Sequence, residues 1–293
     1  MKMRLLAVFF VLFVPLCVNA EETSNTETVK NIPYYTDEAI KAENDPYQKE
    51  RCFLDLCYPK DSKGFATLIW FHGGGLSGGS KYLPPAYMQT DLYKKGKLAI
   101  IAVNYRLGPK AEYPKYIKDA AASFAWTYRN IAKYGGDPSK IFVSGGSAGG
   151  YLTMMIGMDP QWLAPYGIGL DKIAGLLPVS GQATSHFNVK KWIGTPGKRY
   201  APVIDKTAPL FFVSKDLSPI YLILGDRKSG KEIPCRVEEN ELLYSALKAL
   251  NHPFVMFSES PGMGHGIASM GKDTPDKVIK NIDEFFAKAV KEQ

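Results

Sequence analysis

Short apolar runs recur along this chain, separated by stretches with helical periodicity, and that alternation limits the fold more than any other feature. Residues 66–71, 98–103, 140–144, 174–179, 219–224 and 253–257 are rich in Val, Ile, Leu and Phe. They lack the polar alternation of a half-exposed strand, so each reads as a strand buried on both faces. Between them, Ile117, Ala121, Phe124, Tyr128 and Ile131 fall on one helical face. Leu242, Leu243, Ala246, Leu247 and Leu250 do the same, and so do Val278, Ile282, Phe285 and Ala289. The pattern predicts an α/β fold with a mostly parallel central sheet and helices on both faces. Ligands in such sheets sit at the carboxyl ends of the strands. Only residues 180–218 lack clear periodicity over a long span, and a connection of that length reads as a lid or pocket wall.

The N-terminus is set apart by composition. Lys2 and Arg4 precede ten apolar residues at 5–14, and Val18 and Ala20 supply the small side chains of a cleavage site. Residues 1–20 therefore read as a secretory signal, too short to span a bilayer of about 30 Å. The expected location is secreted or periplasmic, with membrane contact only through that signal. Residues 21–50 are polar and read as an arm with partial order. Residues 51–293 form the main domain, and a chain with 45% apolar content can bury a large core there. The net charge of +7 is spread along the chain without a dense basic run, which argues against a nucleic-acid partner. Beyond the signal, Cys52, Cys57 and Cys235 are too few and too dispersed for a disulfide scaffold or a zinc module. Cys52 and Cys57 also flank a strand-like run spanning roughly 16 Å, beyond disulfide reach.

Two glycine motifs carry the chemistry. Gly145, Gly146, Ser147, Ala148 and Gly149 lie between a predicted strand and a predicted helix. A serine nucleophile on such a turn sits in strained backbone, and its neighbours two positions away must be small. The helix starting there points its positive end at a developing oxyanion. His72, Gly73, Gly74 and Gly75 follow another strand, and their glycines allow N–H groups to face a negative oxygen. This loop lacks the Gly-Lys-Ser/Thr ending of a phosphate-binding loop. His72 reads as a brace for the loop. Together the motifs describe a serine attacking a carbonyl beside an oxyanion hole built from Gly73, Gly74, Gly75 and Ala148.

HGGG at 72–75, NYRL at 104–107, GGDPSKI at 135–141 and GGSAGG at 145–150 resemble the α/β-hydrolase superfamily. The likeness is to hormone-sensitive-lipase-like carboxylesterases and secreted acetyl- and feruloyl-esterases. It covers about residues 50–290. It implies an eight-stranded, mostly parallel sheet, a triad in the order Ser, acid, His, and hydrolysis of small carboxylic esters on carbohydrates or other small alcohols. A peptidase or amidase of the same fold, and a non-catalytic binding member, are the alternatives. The chemistry requires no metal or organic cofactor.

A general base must come from His72, His186, His252 or His265. His252 reads as a surface turn and His186 as a possible pocket residue. His265 sits in a glycine-rich loop after the last core strand and comes last in the triad order, so it is the expected base. The acid departs from the family pattern, because Lys228 fills the place where the resemblance expects it. The resemblance implies an acid nine residues before the residue matching Glu241, which here is Glu232, displaced by a short insertion at 228–231. Asp226 is the second candidate, although capping the turn after the strand is its more natural role.

Overall fold

A computed structural model describes residues 25–290. The expected signal at 1–20 lies outside them. Eight strands form one sheet: β1 (Thr26–Pro33), β2 (Phe53–Pro59), β3 (Phe65–Phe71), β4 (Leu98–Val103), β5 (Gly136–Gly146), β6 (Gly175–Val179), β7 (Ile220–Gly225) and β8 (Val255–Ser260). Their spatial order is β1-β2-β4-β3-β5-β6-β7-β8. Pairing is parallel from β4 to β8, and β2 alone runs against the rest. All six expected strands are present, within a few residues of the expected bounds.

Helices α1 (Asp37–Glu43), α2 (Pro46–Arg51), α3 (Asp91–Lys94), α4 (Lys115–Asn130), α5 (Ala148–Met158), α6 (Phe187–Trp192), α7 (Arg236–Ala249) and α8 (Asp276–Ala289) complete the layers. The strand side chains alternate between two cores. Ile69, Phe71, Ile101 and Val143 pack with α4, α5 and α7. Leu68, Trp70, Ile100 and Phe142 pack with α8 and the segment around Tyr87. Burial on both faces explains why these strands read as continuous apolar runs. Helix α5 is buried over its whole length, which sets the turn before it rigidly against the sheet.

The polar stretch at 21–50 carries, over its described part, the edge strand β1 and two helices. Its polar residues serve a buried cation: the Arg106 guanidinium reaches Glu43, Asp45 and Asp119, and the Tyr34 and Tyr35 hydroxyls donate to Asn104 O and Asp119 at 2.7 and 2.8 Å. An unpaired buried Arg is costly, so these partners hold the segment in place. One expectation needs correction: of the apolar face expected at 242–250, Leu243 and Leu247 are buried on α7, but Leu242 and Leu250, which caps the helix, are exposed at 52% and 43%. The buried face of that helix instead takes in Arg236, Glu239 and Asn240, which bond the segment at 180–184.

Candidate active site

The site is assembled from the carboxyl ends of five neighbouring strands, β3, β5, β6, β7 and β8. At the end of β5, Ser147 adopts φ 55° and ψ −111°, a conformation that costs a non-glycine residue about 1–3 kcal/mol. Its N–H donates to Val179 O at 2.8 Å and its carbonyl accepts from Tyr151 N at 3.0 Å, which fixes the turn. The flanking glycines are a packing requirement. A Cβ on Gly145 would meet the Gly149 backbone, and one on Gly149 would run into the Phe71 carbonyl.

Ser147 Oγ lies 2.8 Å from His265 Nε2, and His265 Nδ1 lies 2.6 Å from Glu232 Oε1. The carboxylate partner fixes the proton on Nδ1, so Nε2 presents its lone pair to the serine hydroxyl. Glu232 is nearly buried, and its two oxygens accept from four donors. Ile233 N joins His265 on Oε1 at 2.8 Å, while Ser180 Oγ and Gly225 N reach Oε2 at 2.9 and 3.2 Å. Burial alone would raise the Glu232 pKa, but the hydrogen bond and charge of His265, with the Ile233 and Ser180 donors, hold it below the usual value.

Two loops are tied together here. Asp226 N donates to Met263 O at 2.6 Å, and His265 N donates to Lys231 O at 3.1 Å. The segment after β7 turns outward over Arg227–Ser229 and returns, which brings Glu232 back beneath the strand end. Asp226 makes that excursion possible. Its carboxylate accepts from Lys228 N at 2.8 Å and Gly262 N at 3.0 Å, whereas the carboxylate that meets His265 is that of Glu232.

The glycine loop borders the serine. A Cβ on Gly73 would stand 3.5 Å from Ser147 Cβ, and Gly74 and Gly75 have φ of 103° and 62°, which glycine adopts without strain. Gly75 faces the long connection, where Asn188 Nδ2 donates to its carbonyl at 2.6 Å. Ala148 opens α5 beside the serine. Among the described residues, no backbone acceptor is found for the N–H groups of Gly73, Gly74 or Ala148, so these donors remain available to a bound oxygen.

His72 is buried under this loop. It donates from Nδ1 to Gly73 O at 2.7 Å, receives Arg51 at Nε2, and stacks on Tyr105 at 4.4 Å. Burial pushes its pKa down to about 4; the Gly73 carbonyl opposes this and the Arg51 charge adds to it. The other histidines also stand away from the relay. His252 is buried, not on a surface turn, because Nε2 meets Leu217 O at 2.9 Å and Nδ1 accepts from Phe254 N. His186 is buried behind Phe187 and caps α6, with its pKa well below the ordinary value through desolvation and three nearby cations.

A cleft of about 500 Å³ contains Ser147, His265, Gly73, Gly74 and Gly75. The connection at 180–218 supplies one wall through Phe187, Asn188, Arg199 and Tyr200, as its length suggested. Tyr82, whose hydroxyl donates to Ser269 O at 3.0 Å, forms another. Sequence reasoning missed Ser180, although its place just after a parallel strand was a usable signal. It missed the individual wall residues because nothing in their local pattern marks them.

Comparison with known proteins places this architecture. The BD-FAE family model matches residues 54–162. The prolyl oligopeptidase family model matches residues 118–293, more than half of the chain. The chain belongs to the prolyl oligopeptidase family of α/β-hydrolases. Among the relatives of this family member is Esterase LipC of Mycobacterium tuberculosis (strain ATCC 25618 / H37Rv), 29% identical over 241 residues. That match covers 76% of this chain and 58% of LipC. The bile salt-activated lipase of Rattus norvegicus is 27% identical over 71% of this chain and 36% of its own. The chain thus spans little more than half of LipC and about a third of the lipase. A truncated carbohydrate esterase from gut microbiota superposes with a TM-score of 0.68 at 20% identity, covering 92% and 98% of the two chains.

Proposed function

We propose that the protein is a carboxylic ester hydrolase that cleaves small acyl groups from carbohydrates or other small alcohols, through a Ser147, His265 and Glu232 triad and an acyl-enzyme. The observation that carries this reading is the unbroken relay of 2.8 and 2.6 Å from Ser147 through His265 to Glu232, set beside unengaged N–H groups. His265 Nε2 takes the proton of Ser147 Oγ as the oxygen attacks the ester carbonyl. The N–H groups of Gly73, Gly74 and Ala148, with Gly75 shaping the loop, hold the oxyanion. Glu232 stabilises the imidazolium, which then protonates the leaving alcohol. Water repeats the sequence on the acyl group and frees the serine. The esterase and lipase names of LipC and the bile salt-activated lipase support the ester reading, and the carbohydrate esterase neighbour supports the sugar.

Peptide-bond cleavage is the second reading, favoured by the name of the matching family model. A fluorophosphonate probe should label the wild type and not Ser147→Ala, whose kcat on p-nitrophenyl acetate should fall by about 10³-fold or more. Equal labelling of both proteins refutes the nucleophile. Faster turnover of a prolyl p-nitroanilide than of any ester in a panel of acetate, butyrate, octanoate, acetylated xylan and methyl ferulate refutes the esterase reading.

A further inference from the structure

The cleft that holds Ser147 adjoins a second one of about 580 Å³, and the two share Ser77, Phe187, Asn188 and Arg199. Lys190, Lys191, Lys198 and Arg199 line this neighbour, and none of its lining residues is acidic. The sequence has no acidic residue anywhere between Asp171 and Asp205. Lys190 belongs to the scaffold: it is buried and donates to Ala201 O. Lys191, Lys198 and Arg199 are exposed. Among the described residues, none of these three cations stands within 4.0 Å of a carboxylate.

A concave wall of one sign concentrates its field, and the mutual repulsion of such cations is relieved when an anion binds between them. Arg199 is also held at the junction of the two clefts. Its guanidinium lies 4.4 Å from the Phe187 ring and 5.1 Å from the Tyr200 ring, both of which face the catalytic cleft. The planar fork is therefore oriented where a ligand passes from one cleft to the other, and such a fork matches a carboxylate or sulfate.

We propose that the second cleft is a subsite for an anionic group, carboxylate or sulfate, carried by the oligosaccharide whose ester is cleaved at Ser147. This rests on the esterase reading above. It makes the enzyme selective for acidic over neutral sugar esters.

The test uses Ser147→Ala protein and calorimetry. The ligands are an ester-free xylo-oligosaccharide bearing one glucuronic acid, the same compound with its carboxylate reduced to an alcohol, and a sulfated xylo-oligosaccharide. One exposed ion pair changes affinity by up to roughly fivefold, so three cations should favour an acidic ligand by about tenfold at low salt. That margin should shrink at high salt. Adding Lys191→Gln and Lys198→Gln should reduce it to about twofold, and Arg199→Gln gives an independent check. The arm with the larger margin identifies carboxylate or sulfate as the natural group. Equal affinity for the acidic and reduced ligands, no binding of any, or a margin indifferent to the lysine substitutions overturns the subsite. Wild-type turnover of p-nitrophenyl acetate, which carries no anion, is measured alongside. If it is absent, the esterase reading fails whatever the calorimetry gives. If it is present without acidic preference, the subsite alone fails.

Discussion

Replacing Glu232 by Gln changes one atom and leaves the side-chain shape intact, yet four donors converge on that carboxylate. His265 Nδ1 and Ile233 N reach Oε1, and Ser180 Oγ and Gly225 N reach Oε2. A carboxamide has one accepting oxygen, so its NH2 must face one of these pairs of donors. Facing His265, it can only pair with an unprotonated Nδ1. The ring proton then sits on Nε2, which cannot take the proton of Ser147. Facing Ser180 and Gly225 instead, it leaves the His265 bond intact. Gly225 N then keeps Ser180 Oγ as an acceptor at 3.2 Å, so this orientation gives up one hydrogen bond, about 0.5–1.5 kcal/mol. Wrong tautomer in the first orientation, and loss of the charge that stabilises the imidazolium in the second, predict a kcat between about 10²- and 10⁴-fold below wild type. Stability should fall by about 0.5–1.5 kcal/mol. The control is Asp226→Asn, whose side chain holds Lys228 N and Gly262 N away from the ring. It should keep kcat within a few-fold. Circular dichroism, urea unfolding and p-nitrophenyl acetate hydrolysis on both variants decide the matter. A Glu232→Gln enzyme within tenfold of wild type, or an inactive Asp226→Asn, refutes the reasoning.

Gly149→Ala would drive a methyl into the Phe71 carbonyl with the His72 carbonyl also in the way; it should destabilise by about 3 kcal/mol or more, and an unchanged urea midpoint contradicts this packing argument. His72 has a folded pKa near 4 against an ordinary value near 6.5, so between those limits the unfolded chain binds a proton that the folded chain does not. Stability should therefore fall as pH drops through that window, by at most about 3 kcal/mol from this residue, and His72→Gln should show a shallower slope; identical slopes exclude His72 as the source. The expected signal at 1–20 predicts a mature protein that begins at Glu21, and an intact mass that retains residues 1–20 refutes it.

Strands β3 to β7 were legible because their burial on two faces leaves no polar alternation to confuse the reading, whereas β8, also expected to be fully buried, is a partly buried edge strand. The turn around Ser147 was legible because backbone contacts at Gly145 and Gly149 dictate residue type directly. The order of β1 and the first helices was not, because it comes from Arg106, a distant partner that no local pattern reveals. His252 misled for a related reason: a histidine before proline looks like a turn, and only the tertiary carbonyl of Leu217 buries it. The insertion at 228–231 shows the limit of counting along the chain. Sequence distance placed Glu232, but only the outward turn capped by Asp226 explains how it reaches His265.

The two backbone bonds between the segments after β7 and β8, Asp226 N to Met263 O and His265 N to Lys231 O, carry a lesson for anyone who would transplant this chemistry. These bonds lace the two segments into one unit read out from two places in the gene. A chimera that exchanges only residues 225–235 with a relative of different insertion length would meet a neighbour cut for another partner. Exchanging residues 260–266 along with them preserves the lacing. A library that varies both segments together should therefore retain more folded variants than one that varies either alone.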